Sequence, residues 1–467
     1  MKKRSLSALI AMTLLVAVFS LFACTSGNSQ GDITEATSPA DTAADTQAPQ
    51  ESSTEAPTET PTEAETEAPL PTTVSLPDAY AMADVEYECD DGSVLYAFNG
   101  KSVADFEAIC AYYMEQGFEV YRDTSKVDNR FTTFVGDGPL AHVYWLKDNG
   151  ELNIVLSETA ATTLPPVTPA VQDGTYEPFV MQLKDNAHVN GMCYIIRLKD
   201  GSFIVYDGSY SDQARKLTKL LKENCPEGET PIIRAWVLTH SHNDHFPTFQ
   251  VVSTRLNDSV KVEYIIYSPL NDKSFTLDDE QGYYSSEKFL SDASNLDGAQ
   301  LVYAHTGMEF TFCNLKLEVL MTPETLFKSS TSFGNFNDTS VVTRLYDDNY
   351  SALFLGDIAL LGAERMASMY GNYLKSNICQ VSHHGVEDVP LSFYETVQAS
   401  ILYYPCNIWL YDQVERHWNV RNSLEKREYT KEILIAGCGE YRRAWGTTFD
   451  ADAPLVIPDH PIKGPKN

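Results

Sequence analysis

An α/β sandwich preceded by a small α+β domain is the fold class this sequence predicts, on three observations. From about Gly174 onward, apolar runs of strand length alternate with helix-period segments to the end of the chain. Several of those runs stop within a residue or two of a histidine or aspartate, the layout of a fold whose site collects at strand ends. Ahead of them, one helix pattern lies among several alternating strands. The chain has 467 residues, 43% hydrophobic and 21% charged, enough for one large core or two smaller ones. Its formal charge of −31 excludes a protein that coats polyanions.

Residues 1–24 read as an export signal: Lys2, Lys3 and Arg4, then an apolar run from Leu6 to Phe22, then Ala23-Cys24. Ala23 before Cys24 resembles a bacterial lipobox, in which the cysteine becomes the lipidated first residue; an uncleaved membrane anchor is the competing reading. Either places the rest outside the cytoplasm, and the first gives a chain lipid-anchored on the extracellular side of a bacterial membrane. Residues 25–77 are dominated by Thr, Glu, Ala, Pro and Ser, as in Thr58-Glu59-Thr60-Pro61. They cannot bury enough surface to offset their ordering entropy and are expected to form an extended, self-repelling tether.

Residues 78–165 carry the small α+β domain. Val85 to Cys89 and Val94 to Phe98 flank an Asp90-Asp91-Gly92-Ser93 turn. Ser102 opens a helix with Asp105 at the capping-box position, Phe106, Ile109, Cys110 and Tyr113 repeat at helical spacing, and Gly117 stops it. Phe118 to Tyr121, Arg130 to Val135, Ala141 to Leu146 and Leu152 to Leu156 alternate as half-buried strands. No catalytic constellation lies here, and a linker from Leu164 to Pro169 closes the domain.

Residues 174–467 form the second domain. Tyr194 to Leu198 and Phe203 to Tyr206 make a hairpin around Asp200-Gly201, Leu217, Leu220 and Leu221 mark a helix, and Ala235 to Thr239 is a strand running into His240. Phe310 to Met321 is a hairpin, and Val341 to Leu345, Ala352 to Leu355 and Ile378 to Val381 are later strands. Asp278-Asp279-Glu280 reads as a helix start. Of nine cysteines, none has zinc-ribbon spacing, and Cys193, Cys379 and Cys438 sit in apolar runs as buried thiols.

The chemistry concentrates in Thr239-His240-Ser241-His242-Asn243-Asp244-His245. A strand end entering a tight loop aims alternate imidazoles at one cation, while the next carboxylate and imidazole face a second. Imidazole with carboxylate suits zinc, with iron or manganese possible. Solvated histidines on a polar loop are the competing reading, which so dense a cluster disfavours.

These residues resemble the metallo-β-lactamase fold superfamily, whose His-x-His-x-Asp-His signature is matched by His240, His242, Asp244 and His245. Tyr206-Asp207-Gly208 matches that family's early strand ending in Asp-Gly, Leu355-Gly356-Asp357 the strand ending in a metal-bridging aspartate, and Val381-Ser382-His383-His384-Gly385 the late strand and histidine. With Asn337-Asp338-Thr339-Ser340, the order looks most like the ComEC-like subgroup, over about Gly174 to Phe449. The resemblance implies a four-layer αββα sandwich and two divalent ions, zinc first. Its ligands would be His240, His242, Asp244, His245, Asp357 and one of His383 and His384, with Asp244, Asp357 and His384 at the reacting centre. Such ions would lower the pKa of a shared water toward neutrality. Asp207 reads as holding an imidazole by its outer N–H, with a plain turn aspartate as the competing reading.

Many family members carry a further histidine in a Gly-His-Thr turn. Here the interval holds only His305, which reads as a surface residue, and Asn337-Asp338 takes that place, with Asp338 a possible ligand. Tyr403, Tyr404, Trp409, Tyr411, His417 and Trp418 line a pocket or pack the last layer, packing being the stronger reading for each. Arg416, Arg421, Arg442 and Arg443 bind a phosphate or are solvated surface. The expected activity is metal-dependent hydrolysis of a phosphodiester or related ester. A small phosphoester or wall-linked substrate is favoured over duplex nucleic acid, for which the acidic chain offers no basic track. The alternatives are a metal-containing surface binding module and a lactonase or β-lactamase-type hydrolase. Every expected ligand lies in the second domain, so residues 174–449 are expected to carry the site without the first.

Overall fold

A computed structural model of the chain describes residues 68–89, 91–185, 190–268, 285–326, 336–386, 389–413 and 418–460. The export signal, Cys24, residues 25–67 of the tether, the Asp278-Asp279-Glu280 run, Arg416 and His417 lie outside them.

The first sheet is antiparallel and six-stranded. Its strands are β1 (Val85–Glu88), β2 (Val94–Phe98), β3 (Glu119–Lys126), β4 (Asn129–Val135), β5 (Leu140–Leu146) and β6 (Glu151–Ser157), in the order β1-β2-β6-β5-β4-β3. Helix α1 (Val103–Glu115) begins where the sequence predicts, and the Asp105 carboxylate accepts from the Ser102 backbone N–H at 2.8 Å as a capping box requires. Phe106, Ile109 and Tyr113 of α1 pack with Phe134, Val143 and Ile154 on one face of the sheet. The other face is also apolar: Leu95, Phe131, Tyr144 and Val155 join a core that continues into the rest of the molecule. Thr66–Asn467 is one compact unit, so this sheet is packed into the structure rather than hung from it.

Two seven-stranded sheets follow. One holds β7 (Phe179–Gln182), β8 (Cys193–Arg197), β9 (Phe203–Asp207), β10 (Ile232–Leu238), β11 (Lys261–Tyr267) and β12 (Gln300–Tyr303), with β9 to β12 mutually parallel. The other holds β13 (Glu309–Phe312), β14 (Leu315–Met321), β15 (Val342–Tyr346), β16 (Ser351–Phe354), β17 (Ile378–Gln380), β18 (Ile401–Tyr404) and β19 (Glu432–Ile435), parallel from β16 onward. β20 (Tyr441–Ala444) returns to pair with β7.

The sheets pack face to face through one shared core. Ile204, Tyr206, Ala235 and Val237 come from the first, and Leu345, Phe354, Ile378 and Tyr403 from the second. Tyr206 and Phe354 stack across it with ring centroids 3.9 Å apart. Outside the first sheet lie α2 (Ala214–Asn224), α3 (Pro247–Arg255) and α4 (Ser286–Ala293), which bury Leu217, Phe249, Val252 and Phe289 against Val205 and Trp236. Outside the second lie α5 (Leu360–Tyr370), α6 (Leu391–Val397), α7 (Ile408–Gln413) and α8 (Trp418–Leu424). Met366, Phe393 and Leu424 cover Leu353, Cys379 and Ile433 there. The result is the four-layer αββα sandwich, with the six-stranded sheet packed against one flank.

Parallel strands deliver their following loops to one edge of a sheet, and both sheets contain a parallel run. β9 ends at Asp207 and β10 leads into His240; β16 leads into Asp357, β17 into His383-His384, and β18 into Pro405. That shared geometry places the residues singled out in the sequence beside one another.

Candidate metal centre

The side chains of Asp244, His245, Asp357 and His384 converge so that one ligand atom from each lies within 4.8 Å of the others. His384 Nε2 is 2.8 Å from Asp244 Oδ2 and 3.4 Å from Asp357 Oδ2. His245 Nε2 is 3.2 Å from the same Asp357 oxygen. His240 Nε2 stands 3.9 Å from it and 3.0 Å from His242 Nδ1. Asp357 therefore lies between an Asp244-His245-His384 group and a His240-His242 pair, all buried except the partly exposed Asp244.

The tautomers follow from what the outer nitrogens touch. His384 Nδ1 donates to the Pro405 carbonyl at 2.6 Å, so its Nε2 lone pair can face the cluster. His245 Nδ1 donates to Asp207 Oδ2 at 2.6 Å, the imidazole-holding contact expected of Asp207. Thr239 fixes that carboxylate in turn, its N–H donating to Oδ1 and its hydroxyl to Oδ2, each at 2.7 Å.

Backbone strain concentrates at the same place. Asp207, Ser209, His383 and His384 have φ of 49°, 63°, 47° and 55°, the left-handed region that residues bearing a Cβ rarely adopt. Gly356 has φ of +57°, and a Cβ there would meet Ser340 Oγ at 2.8 Å and Thr239 Cβ at 3.0 Å. Ser340 Oγ accepts from the Asp357 N–H at 2.9 Å, so the close approach at Gly356 is part of what sets Asp357. Helix α5 starts at Leu360 with Ala359 as its cap, leaving the Asp357 carboxylate to the cluster.

Charge in the cluster is balanced by proximity. Burial opposes ionisation of Asp357 and Asp244, but the imidazoles of His245 and His384 outweigh it and hold both carboxyls below the usual range. Burial likewise opposes charge on His245, yet Asp357, Asp207 and Asp244 push it up to about 10. Burial and the neighbouring His245 keep His240 well below its ordinary value, neutral with a free lone pair.

The donor set fits a divalent cation. Asp357 Oδ1 is buried and has no hydrogen-bond partner among the described residues, an arrangement costly for a carboxylate unless a cation completes it. Imidazole nitrogens and carboxylate oxygens at such spacing are the ligands zinc takes. Asp244, His245, Asp357 and His384 could hold one ion, and His240 and His242 with Asp357 a second.

The structure departs from the sequence reading at several residues. His305 is buried, not on the surface: its Nδ1 meets Glu324 Oε2 at 2.8 Å in the seam against the six-stranded sheet. The ring of His142, from the six-stranded sheet, stacks on it with centroids 6.2 Å apart, a packing that the local sequence could not show. His383 turns toward Asn337, whose Nδ2 is 3.1 Å from its Nε2, whereas His384 enters the cluster. Tyr403, Tyr404 and Tyr411 are buried core residues, and Trp409 is 59% exposed. Arg421, Arg442 and Arg443 are tied to Glu425, Glu177 and Glu432. Sequence reasoning missed Thr239, Ser340, Pro405 and Gln380, whose Nε2 donates to the Gly356 carbonyl at 2.8 Å. Thr239 and Ser340 within the motifs and Gln380 beside one had only that position as a signal, because serine, threonine and glutamine carry no ligand signature of their own, and Pro405 had none.

No protein-family model and no curated protein matches the chain. Among solved structures it is similar to the metallo-beta-lactamase fold protein YhfI from Bacillus subtilis, at 12% identity and a TM-score of 0.35, over 57% of this chain and 100% of that one. It is also similar to Zn(2+)-bound PqqB from Methylobacterium extorquens, at 10% identity and a TM-score of 0.31, over 56% of this chain and 90% of that one. A metallo-beta-lactamase with a HARLDQ motif from Cronobacter sakazakii is similar at 14% identity and a TM-score of 0.27, over 57% and 79% of the two chains. The chain is thus similar to metallo-β-lactamase fold proteins, and its own sheets and cores form the four-layer αββα sandwich that the sequence predicts.

Proposed function

We propose that the chain is a metal-dependent hydrolase of a phosphodiester or related ester, held on the outer face of a bacterial membrane by lipid on Cys24. The observation that carries the reading is the buried Asp357 carboxylate, shared by three imidazoles through Oδ2 while Oδ1 has no partner among the described residues. Two divalent cations at this place would supply an activated water near neutral pH and positive charge for an oxygen gaining electrons. The protein's share is orientation. Asp207 and the Pro405 carbonyl each engage the outer nitrogen of one imidazole, and Asp244 stays ionised beside them. The ComEC-like order of motifs favours a phosphodiester, and the charge of −31 favours a small or wall-linked ester over duplex nucleic acid.

The test is metal content together with turnover. Purified protein should carry about two zinc-type ions per chain and hydrolyse bis(p-nitrophenyl) phosphate until a chelator is added. Asp357→Asn keeps the size of the side chain and removes its charge, so it should lower stoichiometry and abolish hydrolysis. Full occupancy with full activity in that variant would sink the assignment.

A further inference from the structure

We infer that the cleft between α2 and α3 is an anion-binding subsite that holds a second charged group of an extended, phosphate-bearing substrate. The identity of that substrate rests on the hydrolase reading, whereas the anion site rests on the cleft alone. The cleft encloses about 610 Å³ and is lined by Ser211, Asp212, Arg215, Gln250, Thr254 and Arg255 among others.

Two features set it apart. Neither the Arg215 nor the Arg255 guanidinium has an ion-pair, hydrogen-bond or ring partner among the described residues. Every other described arginine donates to an acid, a side-chain oxygen or a backbone carbonyl. In a chain with 65 acids against 34 bases, two unpaired guanidiniums on one cleft are the groups most available to an incoming anion. The two guanidiniums set the field here, since α2 continues in helical conformation out of the Ser211–Gln213 turn, which carries Asp212. Asp212 opposes the field at the rim, which favours a multiply charged ligand over a single weak anion.

The second feature is the path from the metal centre. Thr248 Oγ1 donates to the Tyr210 carbonyl at 2.6 Å, tying the strand-end loop after Asp207 to the start of α3. Helix α3 begins two residues after His245 and ends at Arg255, so its last residue lies about 12 Å along the axis from its first. A charge held there belongs to a neighbouring unit of a chain rather than to the reacting group. A repeating polyol or sugar phosphate has that form.

Inorganic tripolyphosphate titrated calorimetrically into the full-length protein with its metal centre loaded tests this, the two arginines being varied together so that the cleft is read apart from the centre. Wild type should bind, more weakly as salt rises, and Arg215→Gln/Arg255→Gln should bind at least tenfold more weakly with unchanged melting, both side chains being exposed. Lys375→Gln, an exposed cation outside the cleft, should leave binding as it was. Absence of binding in wild type, or an equal loss in Lys375→Gln, overturns the subsite. Binding through the two arginines in a protein that hydrolyses no phosphoester would sustain the subsite and remove the hydrolase reading.

Discussion

Asp207 accepts from His245 Nδ1, from the Thr239 N–H and from the Thr239 hydroxyl, so one carboxylate orients an imidazole and the strand end that carries His240. Loss of such a contact to a ligand histidine typically lowers metal affinity by about 10 to 100-fold. Asp207→Asn should show a loss of that size in chelator competition, with the fold retained by circular dichroism. Gly356→Ala tests the backbone instead. It forces a Cβ into Ser340 and Thr239 at a φ of +57°, and overpacking of this kind costs about 1 to 3 kcal/mol. The variant should unfold at lower urea and bind metal less well. At this scale much of the centre was legible, because His240, His242, Asp244 and His245 crowd one loop and Asp357 ends an apolar run. His305 was misread because burial depends on what a distant sheet brings to it, and Pro405 was invisible because a carbonyl has no sequence signature.

The β3–β4 hairpin shows what an element adds. Lys126 at the end of β3 is 3% exposed and lies between Glu309 at 2.7 Å and Glu318. Arg344 Nε reaches Glu318 at 2.6 Å, and the hydroxyls of Tyr346 and Tyr373 donate to Glu309 and Glu318. Burial opposes the charge on Lys126, but the two glutamates outweigh it and raise its pKa. Removing one partner of a buried ion pair leaves the other uncompensated, at a cost of about 3 to 5 kcal/mol. Lys126→Met should therefore destabilise by an amount near the lower figure, since Arg344 remains, and a shift in the urea midpoint at constant slope would measure it. Strands with strict alternation or tight turns, β1, β2 and β4 to β6, were readable to within a residue or two. β3 runs past its predicted end because it pairs with β4 as far as Lys126, opposite Asn129, over residues that no apolar pattern marks. The parallel strands β10, β16 and β17 were read because they run into His240, Asp357 and His383, whereas β11 and β12, with no such residue at their ends and no hairpin turn, went unread.

For the whole molecule, the decisive feature is the seam between the six-stranded sheet and the sandwich. Glu324 accepts from the Tyr144 hydroxyl at 3.0 Å and from the Thr306 N–H at 2.9 Å, and meets His305 at 2.8 Å. His142 bridges Thr133 Oγ1 at 2.9 Å and the Thr306 carbonyl at 3.0 Å. Deleting residues 25–165 would strip these contacts from buried acids, so the truncated chain should aggregate or fail to bind metal, against the expectation that residues 174–449 suffice. The seam also sets a pH dependence. Burial, the largest influence on His142, lowers it from 6.5 to about 4, while His305 is raised above 6.5 because Glu324 outweighs its burial. For His142 the folded state binds the proton less readily than the unfolded one. Its contribution is therefore complete above pH 6.5 and is lost as pH falls toward 4, with a slope approaching ~1.4 kcal/mol per pH unit. His305 acts oppositely, stabilising below 6.5 and losing that contribution as pH rises through its folded value. A His142→Gln variant removes the first effect and leaves the second. Its stability should be lower than wild type at pH 7, and the gap should narrow steadily between pH 6.5 and 4 in parallel urea titrations. A gap that stays constant across that window would show that His142 does not titrate in the seam.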